Sequence, residues 1–225
     1  VYKRQVRVSE YAECVDSGRC VEPYSGGPVF PKEWEWRNCN WSIPERSDHP
    51  INCVNWSEAN VFCSWVEKRL PTEAEWEKAA RGTHGLKFPW GNKILPKRAN
   101  FAGTGDGYPY MAPVGIYPMG RSVFGVYDMA GNVSEWCLDW YDENFYQTCV
   151  ENNIYLNPIN NNSGEVERKV LRGGNHTYPA HVAMSSSRTD TPPFVTTDHM
   201  GFRVISHYFL GDLNNDYLTL SLIHI

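Results

Sequence analysis

Calcium is held by six to eight oxygens drawn from carboxylates, amides and backbone carbonyls, and irregular loops can bring such groups together. Two segments of this sequence offer that mixture, Asp128 to Glu135 and Asn100 to Tyr108. The alternative on spacing alone is that Asp106-Gly107 is a turn, Asn100 a cap, and Asp128 and Glu135 ordinary surface carboxylates. A third segment, Asp212-x-Asn214-x-Asp216, copies the first three side-chain ligands of an EF-hand loop. Tyr217 stands where that loop needs glycine, and no glutamate follows at its twelfth position, so the segment reads as polar linker.

Redox and nucleophilic chemistry have fewer candidates. His176, His181 and Met184 lie close together, but two histidines fall short of a facial iron triad. His49, His199 and His207 are expected to hydrogen-bond loop backbone. No Ser-His-Asp order, phosphate-cradling glycine loop or paired-acid motif stands out. Seven cysteines form no C-x-x-C pair of a zinc or redox site, which favours disulfides. Cys14 with Cys20, Cys39 with Cys53 and Cys137 with Cys149 are each close enough in sequence to staple a loop, although order alone does not fix connectivity. Such bridges imply an oxidising, extracytoplasmic setting.

The elements that must position these groups are few. Ser9 can cap a short helix carrying Tyr11, Ala12, Cys14 and Val15 that stops at Gly18. Ser57 starts a second, with Ala59, Phe62, Cys63 and Val66 at the spacing of a buried stripe. Thr72-x-x-Glu75 is a capping box, Pro71 and Trp76 can staple across it, and Gly82 ends a helix running from about Glu73 to Arg81. Elsewhere the chain is rich in Gly, Pro, Asn and aromatics, with brief β-like runs at Val123 to Tyr127, Lys169 to Arg172 and Phe202 to His207. Long loops must still satisfy their backbone polar groups, and disulfides, cations and the polar edges of Trp and Tyr are the available means.

The bulk numbers fit one such domain. The 225 residues are 41% hydrophobic and 14% aromatic, enough for one substantial core. A net charge of -5 with scattered Lys and Arg offers no basic field, so nucleic acid is not an expected partner. No apolar run approaches the roughly 20 residues of a membrane helix. Residues 1–5 read as a non-native scar and 209–225 as a partly non-native tail. That leaves a single domain over 6–208, expected to be N-terminally truncated, with any export signal upstream.

The landmarks, in order, are Asp48-His49-Pro50-Ile51-Asn52-Cys53-Val54-Asn55-Trp56, Lys68-Arg69-Leu70-Pro71-Thr72-Glu73-Ala74-Glu75-Trp76-Glu77 and Phe88-Pro89-Trp90-Gly91-Asn92. Ala112-Pro113-Val114-Gly115, Gly125 through Trp136, Leu171-Arg172-Gly173-Gly174 and Gly201-Phe202-Arg203 follow. This series, over roughly Val8 to Tyr208, resembles the formylglycine-generating enzyme (sulfatase-modifying factor) family. The resemblance implies an α+β, C-type-lectin-like fold that is loop-rich and low in secondary structure, with three helices in the N-terminal half and short antiparallel strands. It implies one or two structural calcium ions. One would sit on the Asp128 and Glu135 side chains with the Gly131 and Val133 carbonyls, the other on the Asn100 and Asp106 side chains with the Phe101 and Tyr108 carbonyls.

The resemblance also implies what is missing. A formylglycine-generating enzyme binds copper(I) through two thiolates after its Arg-Gly-Gly strand. Here no cysteine follows Cys149, so no copper is expected. Cys63 matches a position whose family partner follows the Gly-Phe-Arg landmark; Val204 stands there, leaving Cys63 as the unpaired thiol, expected buried and inert. The expectation is a noncatalytic, calcium-stabilised binding or scaffold module for a peptide, protein or glycan, with a groove near His176, Tyr178, His181 and Arg188. The alternative is a non-heme metal-dependent oxidoreductase of another branch that uses a rebuilt His-containing loop.

Overall fold

A computed structural model describes residues 3–23, 38–103 and 105–206. The Asp212 to Asp216 segment and His207 lie outside them. Three helices form where side chains close the first turn. In α1 (Val8–Asp16) the Arg7 N–H donates to the Glu10 carboxylate at 2.9 Å, so Arg7 rather than Ser9 precedes the helix. In α2 (Trp56–Trp65) Asn55 caps in place of Ser57 and completes a capping box with Glu58. In α3 (Glu73–Arg81) Thr72 and Glu75 form the expected box, and Gly82 leaves the helix at φ 65°. A fourth helix, α4 (Phe145–Glu151), was not legible in the sequence; it has no side-chain cap.

The strands are short. β1 (Lys68–Arg69) pairs antiparallel with β6 (Ile205–Ser206). A four-stranded sheet runs β4 (Arg188–Thr191), β3 (Lys169–Arg172), β2 (Ser134–Trp140), β5 (Met200–Gly201), in that order. Its β2–β5 pair is parallel, an exception to the antiparallel expectation. Residues 123–127 form no strand: Gly125 turns them at φ 74°, with Val123 exposed.

β2 is buried on both faces, and its period of two divides the interior. Trp136 and Leu138 pack toward Tyr11, Phe62 and Phe202, whereas Cys137 packs toward Trp76, Met129 and Val170. α3 lies over the second face, and Asp139 accepts the Glu73 N–H at 2.8 Å. Burial raises the Asp139 pKa to about 6 against its two backbone N–H bonds. On the neighbouring strand Lys169 Nζ sits 4.2 Å and 3.8 Å from the Trp56 and Trp140 ring centroids and donates to the Leu138 carbonyl at 2.6 Å. The ammonium is thereby satisfied while buried, and its pKa falls to about 8.

Two of the three expected disulfides form, Cys14–Cys20 and Cys39–Cys53, with Cα atoms 5.2 Å and 5.8 Å apart. Cys137 and Cys149 do not pair. One thiol points from the middle of β2 into the α3 cluster and the other is held on α4, so each stays a buried thiol. Cys63 is also free and buried, packed with Tyr11 and Phe62.

Candidate functional site

The segment leading into β2 is the platform. Asp128 and Asn132 adopt φ of 57° and 66°, and Gly131 between them has φ 75°. A Cβ on Gly131 would come within 2.1 Å of the Asn100 carbonyl, so no other residue fits this approach. Asn132 then ties three loops together. Its N–H donates to the Asn100 carbonyl at 2.7 Å, and its side chain exchanges hydrogen bonds with Ala112 and donates to Gln5. Gln5, set aside in the sequence with the terminal residues, is fully buried here.

Asp128 and Glu135 are not surface carboxylates; both are buried. Glu135 accepts from Arg203 Nε and Nη2 at 2.5 and 2.6 Å, from Trp76 Nε1 at 2.7 Å and from Gln5 at 2.9 Å. Arg203 Nη2 also donates to the Asp128 and Tyr127 carbonyls. The Asp128 carboxylate accepts the Gly115 N–H at 2.9 Å, and burial, opposed chiefly by Arg203, raises its pKa to about 6.

A second buried network fixes both ends of the loop that follows β3. Glu73 accepts from Arg172 at 2.9 Å and from two nitrogens of Arg188 at 2.7 and 2.8 Å. Arg172 reaches Glu77 and the Ser185 carbonyl as well. Arg188 lies over the Tyr141 and Tyr146 rings. It therefore serves the scaffold and is not free to meet a ligand in a groove, contrary to its expected place beside His176.

The loop itself brings some expected residues together and separates others. His176 is buried, with its N–H and ring Nδ1 both at the Asn132 carbonyl, 3.1 and 3.2 Å away. Tyr178 is 48% exposed. His181 lies exposed on the 3-10 turn Ala180–Ala183, with no described ring contact to His176. Three further residues join the site. Tyr110, 44% exposed, meets the His176 ring edge-on at 6.4 Å; His199 meets Tyr178 in the same way at 6.5 Å; and Asp198 accepts from His199 Nδ1 at 3.0 Å. That bond holds the Asp198 pKa below the ordinary carboxylate range. The His199 ring thus bonds a side chain in place of the loop backbone expected of it, and the adjacent Asp198-His199 pair was its one visible sign. His49 Nδ1 is buried without a described partner, so its ring does not make the backbone bond expected of it.

The two segments suited to calcium differ. In 128–135 the positive charge is supplied by Arg203, and the Val133 and Asp128 carbonyls accept the Gln5 amide. Two of the four expected ligands, Glu135 and the Val133 carbonyl, are thus hydrogen-bonded within the protein. In 100–108, Asp106 accepts from neutral donors among the described residues, the Tyr108 N–H at 3.0 Å and the Tyr117 hydroxyl at 2.8 Å. Asn100 donates its amide nitrogen to the Tyr110 carbonyl, and its side-chain oxygen has no hydrogen-bond partner among the described residues. Asp106 and Asn100 carry oxygen donors of the type a hard cation takes.

Comparison with known proteins matches residues 1–208 to the sulfatase-modifying factor enzyme 1-like domain. The chain is 37% identical over 180 residues to the formylglycine-generating enzyme of Thermomonospora curvata, covering 72% of this chain and 57% of that protein. It is 33% identical over 180 residues to the inactive C-alpha-formylglycine-generating enzyme 2 of Bos taurus, covering 73% and 52%. The chain thus spans little more than half the length of either relative. Among solved structures, PvdO from Pseudomonas aeruginosa superposes with a TM-score of 0.66 at 25% identity, covering 90% of this chain and 77% of PvdO. No described helix is long and apolar enough to cross a membrane.

Proposed function

Since the chain belongs to the sulfatase-modifying factor enzyme 1-like family, we propose that it is a noncatalytic, extracytoplasmic member that binds a peptide, protein or glycan at the aromatic rim of its 175–187 loop. The carrying observation is the makeup of that loop. After Arg172-Gly173-Gly174 it contains no thiol, and the three free cysteines are buried elsewhere. A copper(I) thiolate pair has no ligands there. In its place the site offers two half-exposed tyrosines, Tyr110 and Tyr178, which combine apolar area with a polar edge at low entropic cost. The likeness to a relative named as inactive supports the same reading. Two disulfides support an oxidising compartment. One structural calcium ion, on Asp106 and Asn100 with the Phe101 and Tyr108 carbonyls, braces the loop that carries Tyr110.

The test combines activity and binding. Supplied with copper(I), oxygen and a cysteine-containing peptide, the protein yields no aldehyde. On peptide and glycan arrays it retains specific ligands, and Tyr110→Ala with Tyr178→Ala weakens them roughly tenfold or more. Elemental analysis finds one calcium per chain, lost in Asp106→Ala. Aldehyde production overturns the noncatalytic reading, and array binding untouched by the tyrosine substitutions overturns the placement of the site.

A further inference from the structure

Two imidazoles hang from one short stretch of chain. The Asn132 carbonyl holds both the backbone N–H and the ring Nδ1 of His176. Two residues on, the Ser134 N–H donates to the His199 carbonyl at 2.8 Å, and Ser134 is the register partner of Met200 across β2 and β5. Asn175, next to His176, donates to the Ser134 hydroxyl at 3.1 Å. The loops bearing the two rings are therefore sewn to the same three residues, 132–134.

Hydrogen bonding also fixes which nitrogen each ring presents. A carbonyl can only accept, so His176 Nδ1 carries the proton and Nε2 the lone pair. The Asp198 carboxylate likewise takes the proton side of His199 Nδ1, and Asn38 holds its other oxygen at 3.1 Å. Neither Nε2 has a hydrogen-bond partner among the described residues. Edge-on contacts from Tyr110 and Tyr178 restrain the two ring planes.

One nitrogen tied to a carboxylate or carbonyl, with the other presented, is how imidazoles are oriented toward a metal. We propose that His176 and His199 form an open, two-imidazole site for a borderline divalent transition metal. Among the described residues no three or more His, Cys, Asp or Glu converge. The protein thus supplies two nitrogens, and water or a group on a bound ligand completes the coordination. Calcium does not suit such a site, because it selects oxygen; copper(II) binds nitrogen donors most strongly in its series and is the sharpest probe. His181, exposed on its own turn, takes no part. The site does not depend on the binding reading above, since the tyrosine rim can engage a ligand without metal.

The experiment is a copper(II) titration of the full chain in a non-coordinating buffer at neutral pH, read by electron paramagnetic resonance. One copper per chain is expected, with hyperfine coupling from two imidazole nitrogens. His176→Ala and His199→Ala each remove the two-nitrogen signal, and His181→Ala leaves it intact. Asp198→Asn keeps both ligands but weakens binding about 10–100-fold, because the ring loses the partner that orients it. Circular dichroism confirms that each variant is folded. His199→Gln, at a half-buried position, serves as a second variant should His199→Ala fail to fold. A wild-type spectrum without two imidazole nitrogens overturns the proposal, as does copper retained in the folded His176 and His199 variants or lost with His181→Ala.

Discussion

Arg203→Ala lowers the stability of the fold by about 3–5 kcal/mol, the cost of leaving a buried charge without its partner. Arg203 and Glu135 are both essentially inaccessible, and among the described residues the guanidinium is the only cation on that carboxylate. Without it Glu135 keeps two neutral donors, Trp76 Nε1 and the Gln5 amide, and the Asp128 and Tyr127 carbonyls each lose a hydrogen bond. A domain of this kind has about 5–15 kcal/mol in total, so the loss removes a large share. Urea denaturation reads it as a fall in midpoint at constant slope. A midpoint within the error of wild type would mean that the pair contributes nothing net. The packing around Trp76 depends on the same carboxylate, so Trp76→Phe and Arg203→Ala together should cost less than the sum of the two.

Glu73→Ala is expected to cost a similar amount, about 3–5 kcal/mol, but with a different local consequence. Its carboxylate is the shared acceptor for Arg172 at one end of the 173–187 loop and Arg188 at the other. Removing it leaves two guanidinium groups close together, with Glu77 as the remaining carboxylate on Arg172. The loop then loses the clamp at both ends. Hydrogen exchange of the amides at 175–187 should accelerate more in Glu73→Ala than in Arg203→Ala, even if the two variants are equally destabilised. Equal acceleration in both would show that the loop follows global stability and has no clamp of its own. Glu77→Gln should be milder, because Glu77 is partly exposed and Arg172 keeps Glu73 as its partner.

What was legible in the sequence was local. The α3 capping box and the Gly82 stop lie within ten residues of one another, and the structure reproduces them. The starts of α1 and α2 shift to Arg7 and Asn55, because a glutamate three residues along selects the first residue whose backbone it can reach. The family resemblance supplied the fold and located the oxygens of 128–135. It did not reveal that Arg203, far along the chain, and Gln5 near its start bond two of them, the Glu135 carboxylate and the Val133 carbonyl. The neighbours of the 175–187 loop were hidden for the same reason. His176 and Tyr178 stand together in the sequence, but their ring partners Tyr110 and His199 come from two other loops. Arg188 was placed there by proximity in sequence; strand register turns it toward Glu73 instead.

The three unpaired thiols lie in separate places: Cys63 beside Tyr11 and Phe62, Cys137 beneath α3, and Cys149 on α4. Burial raises the pKa of each, which suppresses the thiolate that an alkylating reagent attacks. Each sulfur therefore reacts only when its own neighbourhood opens, and the disulfides withhold the other four cysteines from the same reagent. The chain carries three built-in clocks, and timed alkylation followed by peptide mapping gives the order in which its layers come apart, without any added label.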